Sequence, residues 1–449
     1  MNTLEERIIV IRIGLIILIV LFIVSFIIHM PITVQKTVFN KILIEPVYID
    51  IVYDDYNSIL VNPCRGVESR KWFNKTLLDQ YCRGEYYLLI PYRDYDYKYG
   101  FLNGLLWYVI IQTTRLLTPD TGYKPVYLSE VSYTIFYTLY SIVIFFSTIV
   151  FYIYLNKIYR VLGVENIVLK TSSILLSSLF IYMIYSWEFI HFTILVLTIY
   201  YYLLGKYSYF YLFLGLFTCF NPIGFTLIFF TIYNGLHSDL FVLDKRISYL
   251  IIGLTPLYLQ TILSPISVYK QFTWFMIDYC NNCLYLLFTN NPFSQVTRGL
   301  AVVFFTIVFT IYLVLKPVNS NTLYKYAYIV LFISITISFN LVFTPQTLLL
   351  ILSLLPPLYS IYNSFKPIIP HYVLDILNSL VIITWFRDIE LRKTLSFLGI
   401  SIQNNPLSIE SPVQWITQSR NITLIIITLI LTINYLKIQN NYTKVFKQQ

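Results

Sequence analysis

The chain has 449 residues, of which 57% are apolar or aromatic and only 12% are Asp, Glu, Lys or Arg. A soluble globular chain carries roughly 25% charged residues, so this inventory excludes a soluble enzyme, a disordered chain and a secreted disulfide scaffold. The net charge of +9 does not point to nucleic acid, because the basic residues punctuate apolar runs instead of clustering, as topology signals do in a multi-pass membrane protein.

In chain order, the apolar run 8–29, broken by Arg12, reads as a first, uncleaved span, since no small-residue cleavage site follows it. Residues 31–130 then read as an extracytoplasmic subdomain. Its 31–100 stretch carries nine acids and nine bases, 18 of the 53 charges of the whole chain, together with Cys64 and Cys82. The alternation over 47–52 predicts strand-like structure there. The apolar segment 101–117 either spans or lies along the surface as a juxtamembrane helix, and the loop charges favour the surface. With 101–117 outside the bilayer, the next span is 131–155 and the basic loop with Lys157, Arg160 and Lys170 falls inside. Spans at 167–185, 189–204, 207–220, 222–236, 248–263, 299–315, 324–342, 346–363, 371–386 and 418–437 follow without conflict. Lys206, Lys245, Arg246, Lys316, Lys325 and Lys366 then lie in inner loops, and 438–449, with Lys444 and Lys447, forms a cytoplasmic tail. The expected architecture is an all-α polytopic protein of the plasma membrane, with about 12 transmembrane helices, a membrane domain over 131–437 and a long first outer loop. Several spans are shorter than the roughly 20 residues a perpendicular helix needs, which predicts broken or tilted helices near Pro222 and Pro345.

The outer face gathers 31–130, 264–298 and 387–420, so function is expected there. Asp50, Asp54 and Asp55 sit among tyrosines some twenty residues beyond the first span. Adjacent carboxylates in a cleft suit a general base or a divalent cation such as magnesium or manganese, while on an open surface they make only a solvated turn. Asp94 and Asp96 alternate on one side of a Tyr-rich segment suited to stacking on sugar rings or to the headgroup belt. Arg298, Arg387 and Arg420 lie at outer span ends, where an arginine either grips a lipid phosphate or snorkels. Cys64 and Cys82 share the first outer loop, where an oxidising exterior is expected to pair them as a disulfide. Cys280 and Cys283 have zinc-like spacing without a second ligand pair, and Asn74-Lys-Thr76 is a glycosylation sequon. Phosphate-binding loops, dinucleotide loops, serine elbows and zinc-protease motifs are missing from the chain.

Several segments taken in order resemble the GT-C superfamily of membrane glycosyltransferases, above all the polyprenol-phosphate-mannose-dependent family 87 type of archaea and bacteria. They are Pro91-Tyr-Arg-Asp-Tyr-Asp-Tyr-Lys-Tyr-Gly-Phe-Leu-Asn-Gly-Leu-Leu-Trp107, then Ser186-Trp187-Glu188, then Gly205-Lys206 with Leu214-Gly-Leu216, and Phe343-Thr-Pro-Gln346. The chain departs from the pattern at Lys98, Gly100 and Phe101, which replace a glutamate and two prolines. It departs again at Phe220-Asn-Pro222, which lacks the basic residue expected near the donor phosphate. The resemblance implies transfer of a sugar, mannose in the family, from a polyprenyl-phosphate donor to a glycan or glycolipid acceptor on the extracytoplasmic face, with membrane lipids around it. It implies Asp54, Asp55, Asp50 or Asp94 as base or metal ligand, and Asp96, Arg298, Arg387, Gln346, Trp187 and Glu188 at the substrate. Two other readings fit the same inventory: a 12-span transporter or lipid flippase, and a non-catalytic membrane relative of the glycosyltransferases.

Overall fold

A computed structural model describes residues 4–446 except 44, 48, 68–70, 121, 238–241, 277–278, 281, 316–320, 363–365 and 398–405. Tyr48, Lys316 and Lys447 therefore lie outside the described residues, as do the side chains of Asn441 and Lys444. The described chain is helical, with isolated bridges such as Trp72 to Tyr95 but no strand.

Five helices are long and apolar enough to cross a bilayer among the described residues: Arg12–His29, Glu130–Val161, Gln295–Val314, Ile368–Phe386 and Pro412–Lys437. The pair Lys245–Gly253 and Thr255–Leu263, bent by 42°, makes a sixth if it is one span. The other apolar helices are shorter, among them Glu188–Leu203, Tyr207–Phe220, Ile223–His237 and Thr322–Ser338. Their brevity has local causes. Leu176 precedes Ser177–Tyr182 in an extended conformation, and Pro356 turns the chain into a 3-10 coil after Pro345–Leu352. Exposed apolar side chains cover the outward faces of the long helices, for example Val302, Ile307 and Ile311 on Gln295–Val314. That pattern is the one expected of a helix that meets lipid.

The 47–52 segment corrects the strand expectation. From Asp50 to Val61 the chain coils into a wide π-type helix. Ile49, Ile51, Val52, Tyr56, Ile59 and Leu60 are all buried, so the segment is packed on several sides, with no paired strand beside it. Its backbone groups bond along the coil and to neighbouring segments, never to a paired strand. Cys64 and Cys82 form a disulfide, and Trp72 Nε1 and Tyr81 Oη donate to Ile59 O and Leu60 O at 2.9 and 2.8 Å. This anchors the subdomain to the coil. Residues Phe101–Leu117 form a helix, and Gly100 before it lies so close to the Cys219 carbonyl that an added Cβ would stand 2.0 Å from its oxygen. Only glycine fits that approach.

Candidate active site

The ends of several helices leave a cavity of about 430 Å³, lined by Asp50, Lys98, Tyr185, Glu188, Tyr279, Asn282, Thr344, Pro345, Gln346, Val381, Ile382, Trp385 and Phe386. This is within the size range of small-molecule sites. Six separate stretches of chain contribute to it. Asp50 opens the wide coil, and its backbone N–H donates to Tyr185 O at 3.1 Å, which fixes the coil to the turn that carries Glu188. Lys98 lies just before Phe101–Leu117, and Gln346 sits in the first turn of Pro345–Leu352. Val381, Ile382, Trp385 and Phe386 occupy the last turns of Ile368–Phe386. There Trp385 and Phe386 remain exposed, which leaves an apolar ridge at the rim.

One wall is charged. Lys98 Nζ reaches Asp54 Oδ2 at 2.6 Å and Asp50 Oδ2 at 3.5 Å, and Tyr99 Oη donates to the same Asp50 oxygen at 3.4 Å. Behind this layer, Lys71 Nζ lies 3.4 Å from Asp54 Oδ1 and 3.3 Å from Asp55 Oδ1. Three carboxyl groups share two ammonium groups here, and Glu188 adds a fourth carboxyl to the same cavity. Burial pushes the Asp54 carboxyl up, but Lys98 and Lys71 outweigh it and hold the group below its ordinary value. Asp55 is fully enclosed; burial lifts it to about 6 against the pull of the same two lysines, with Asp54 and Asp50 adding to the rise. Burial would lower Lys98, yet Asp50, Asp55 and Asp54 hold it well above its usual value, so it stays an ammonium.

Apart from Glu188, the rest of the lining is uncharged, with the amide residues Asn282 and Gln346 and the aromatic residues Tyr279 and Trp385. Cys280 and Cys283 are joined as a disulfide, so the loop with zinc-like spacing is closed covalently instead of coordinating a metal. Among the described residues no group of three or more His, Cys, Asp or Glu could hold a metal ion. The Asp50–Asp54–Asp55 acids are held by lysines.

The expected site residues separate into three groups. Asp50, Glu188 and Gln346 line the cavity, Asp54 adjoins it through Lys98, and Asp55 lies behind, paired with the Lys71 that also holds Asp54. Asp94, Asp96, Arg298, Arg387 and Trp187 are not part of its lining. The Asp94 carboxylate accepts from Tyr86 Oη, Ile90 N and Arg93 Nε, each at 2.8 Å, which occupies it in holding its own turn. Asp96 pairs with Lys270. Arg387 pairs with Glu45 and Glu390 on the surface. Trp187 is wholly enclosed and donates from Nε1 to Tyr97 Oη at 2.9 Å, leaving no ring face for a ligand. Arg420, placed at the outer surface by its position at a span end, is instead fully buried. Lys98, Asn282, Tyr279, Trp385 and Phe386 were missed as site residues. For Lys98 the signal was there, a cation standing where the resembling family has a glutamate.

No protein-family model matches the chain, and no curated protein matches it.

Proposed function

We propose that the chain is a multi-pass membrane glycosyltransferase of the GT-C type, which transfers a hexose from a polyprenyl-phosphate donor to a hydroxyl of a glycan or glycolipid acceptor at the extracytoplasmic face of the plasma membrane. The observation that carries this reading is the convergence on one cavity of residues that the charge pattern independently assigns to one face. Asp50, Lys98, Glu188, Asn282, Gln346 and Phe386 come from six separate stretches of the chain, each of which the charge pattern assigns to the outer side of a 12-span topology. Two disulfides, Cys64–Cys82 and Cys280–Cys283, fall in outer loops of the same topology, and an oxidising compartment favours both. A 12-span topology requires the shorter apolar helices to cross as well, together with Pro345–Leu352 and the coil that follows it.

The chemistry follows from the walls. A phosphate leaving group is stable as an anion and needs little acid catalysis, but the acceptor hydroxyl must lose a proton. Asp50 takes it. The acceptor oxygen forms a bond to the anomeric carbon, the bond from that carbon to the phosphate oxygen breaks, and its electron pair leaves with polyprenyl phosphate. Lys98, donating to Asp50, places positive charge at the cavity, which the N-terminal end of Pro345–Leu352 reinforces. Trp385 and Phe386 at the rim give the polyprenyl chain an apolar path towards lipid.

The test uses membranes containing the full chain and polyprenyl phosphate carrying radiolabelled mannose or glucose. The reading expects label in an acceptor and stoichiometric polyprenyl phosphate. Labelled donor that crosses the bilayer chemically unchanged would instead establish a flippase.

A further inference from the structure

The cavity contains two amide side chains whose oxygens have no partner. Asn282 Oδ1 and Gln346 Oε1 are both shielded from solvent and accept no hydrogen bond among the described residues, so each amide must turn about its soft terminal torsion to present its oxygen to a ligand in the cavity. Asn282 is only 5% exposed. Its backbone is left-handed, with φ +59°, a conformation in which asparagine commonly bonds its own main chain; here it makes no such bond.

What fixes these residues is their backbone. Asn421 Nδ2 donates to Asn282 O at 2.9 Å, Gln418 Nε2 donates to Cys283 O at 2.9 Å, and the Cys280–Cys283 disulfide closes the loop. Ahead of Gln346, Arg420 Nη2 donates to Phe343 O at 2.8 Å and Asn378 Nδ2 to Pro345 O at 3.0 Å. Both main chains are thus held by neighbouring side chains of Pro412–Phe446 and Ile368–Phe386, while both amides are left free. A buried acceptor without a donor is unfavourable, and it persists where a ligand supplies the donor. Two carboxamides, each able to accept and donate, match hydroxyl groups, which do the same. Bare acceptor oxygens repel a phosphate.

We propose that Asn282 and Gln346 form a hydroxyl-reading subsite that takes the hexose ring and determines which hexose is accepted. The assignment deepens the glycosyltransferase reading and rests on it for the identity of the sugar-bearing ligand. Asp50 and Lys98 line the same cavity, so ring recognition and proton removal fall on different residues of one site.

The experiment titrates purified full-length chain in lipid nanodiscs with mannose 1-phosphate, glucose 1-phosphate, their 2-, 3- and 4-deoxy analogues, and glycerol 1-phosphate as the ring-free control. Wild type should bind at least one hexose phosphate roughly three- to tenfold tighter than one of its deoxy analogues, the worth of one net hydrogen bond. Asn282→Gly, which keeps the left-handed backbone accessible, and Gln346→Leu should each erase the preference for one hydroxyl and leave glycerol 1-phosphate affinity unchanged. Equal binding of every hexose and deoxyhexose phosphate by wild type, or an unchanged preference in both variants, overturns the subsite. The two proposals fail separately. Hydroxyl-dependent binding with no transfer from polyprenyl-phosphate hexose removes the transferase reading and leaves the subsite, whereas transfer without any hydroxyl preference removes only the subsite.

Discussion

Two buried polar clusters stand close together in this protein, and their difference separates architecture from function. In the first, every hydrogen-bonding group is used. The Asp375 carboxylate accepts from Ser177 N at 2.7 Å and Ser178 N at 2.9 Å. Asn378 donates to Ser178 Oγ and accepts from Arg420 Nη1, and the remaining guanidinium nitrogens reach Asn421 Oδ1 and Phe343 O. In the second, the cavity, Asn282 Oδ1 and Gln346 Oε1 have nothing to bond to. A saturated cluster in a low-dielectric interior locks helices together; an unsaturated one beside open space waits for a ligand. The first cluster also carries the second, because Asn421 and Arg420 hold the two main chains on which the free amides sit.

Four substitutions test that contrast, in decreasing order of effect. Asp50→Asn should lower hexose transfer by about 10²–10⁴-fold, the range for losing a general base, with the melting temperature little changed. A variant that transfers normally would move the chemistry away from the charged wall. Asp375→Ala should do the reverse: it strands two buried N–H groups at about 1–3 kcal/mol each, so a lower melting temperature and yield are expected, with hexose phosphate selectivity intact in whatever folds. Selectivity lost in step with stability would merge the two clusters into one.

The third substitution is Asp55→Asn, read as a function of pH. Burial raises this carboxyl from 3.8 to about 6, so the folded chain holds its proton more tightly than the unfolded chain does. The stability this group contributes is complete below pH 3.8 and is lost as pH rises through about 6. The neutral asparagine should therefore raise stability by about 1–3 kcal/mol at pH 7.5 and hardly at all at pH 4, which thermal unfolding at the two pH values reads directly. An equal change at both would refute the buried-charge account of Asp55. The smallest effect belongs to Arg387→Ala. Its pairs with Glu45 and Glu390 are exposed, and such pairs contribute no more than about 1 kcal/mol, so stability and transfer should both stay near wild type. A large loss of transfer would restore Arg387 as a phosphate ligand.

Much of the fold was legible in the apolar runs, because a lipid-facing helix announces itself in composition; Gln295–Val314 and Ile368–Phe386 lie close to their expected spans. The 47–52 stretch misled because alternation records which side chains are buried, not whether a second strand is present to pair with. Asp50 was visible as an acid of the first outer loop, and Glu188 by its place in the Ser186-Trp187-Glu188 segment. Motif position marked Trp187 and Asp94 equally, yet one is enclosed and the other saturated by its own turn, facts that depend on what packs around them. Asn282 was beyond reach for the same reason. Its backbone is held by Asn421, 139 residues away, and no local pattern reports that its amide is left over.

The most direct measurement of the central claim compares Asp50→Asn with Asp94→Asn in the same proteoliposomes, following release of polyprenyl phosphate from labelled polyprenyl-phosphate hexose. The account predicts that Asp50→Asn loses at least about a hundredfold while Asp94→Asn keeps most of the wild-type rate in the fraction that folds. Loss in Asp94→Asn with full activity in Asp50→Asn would contradict it.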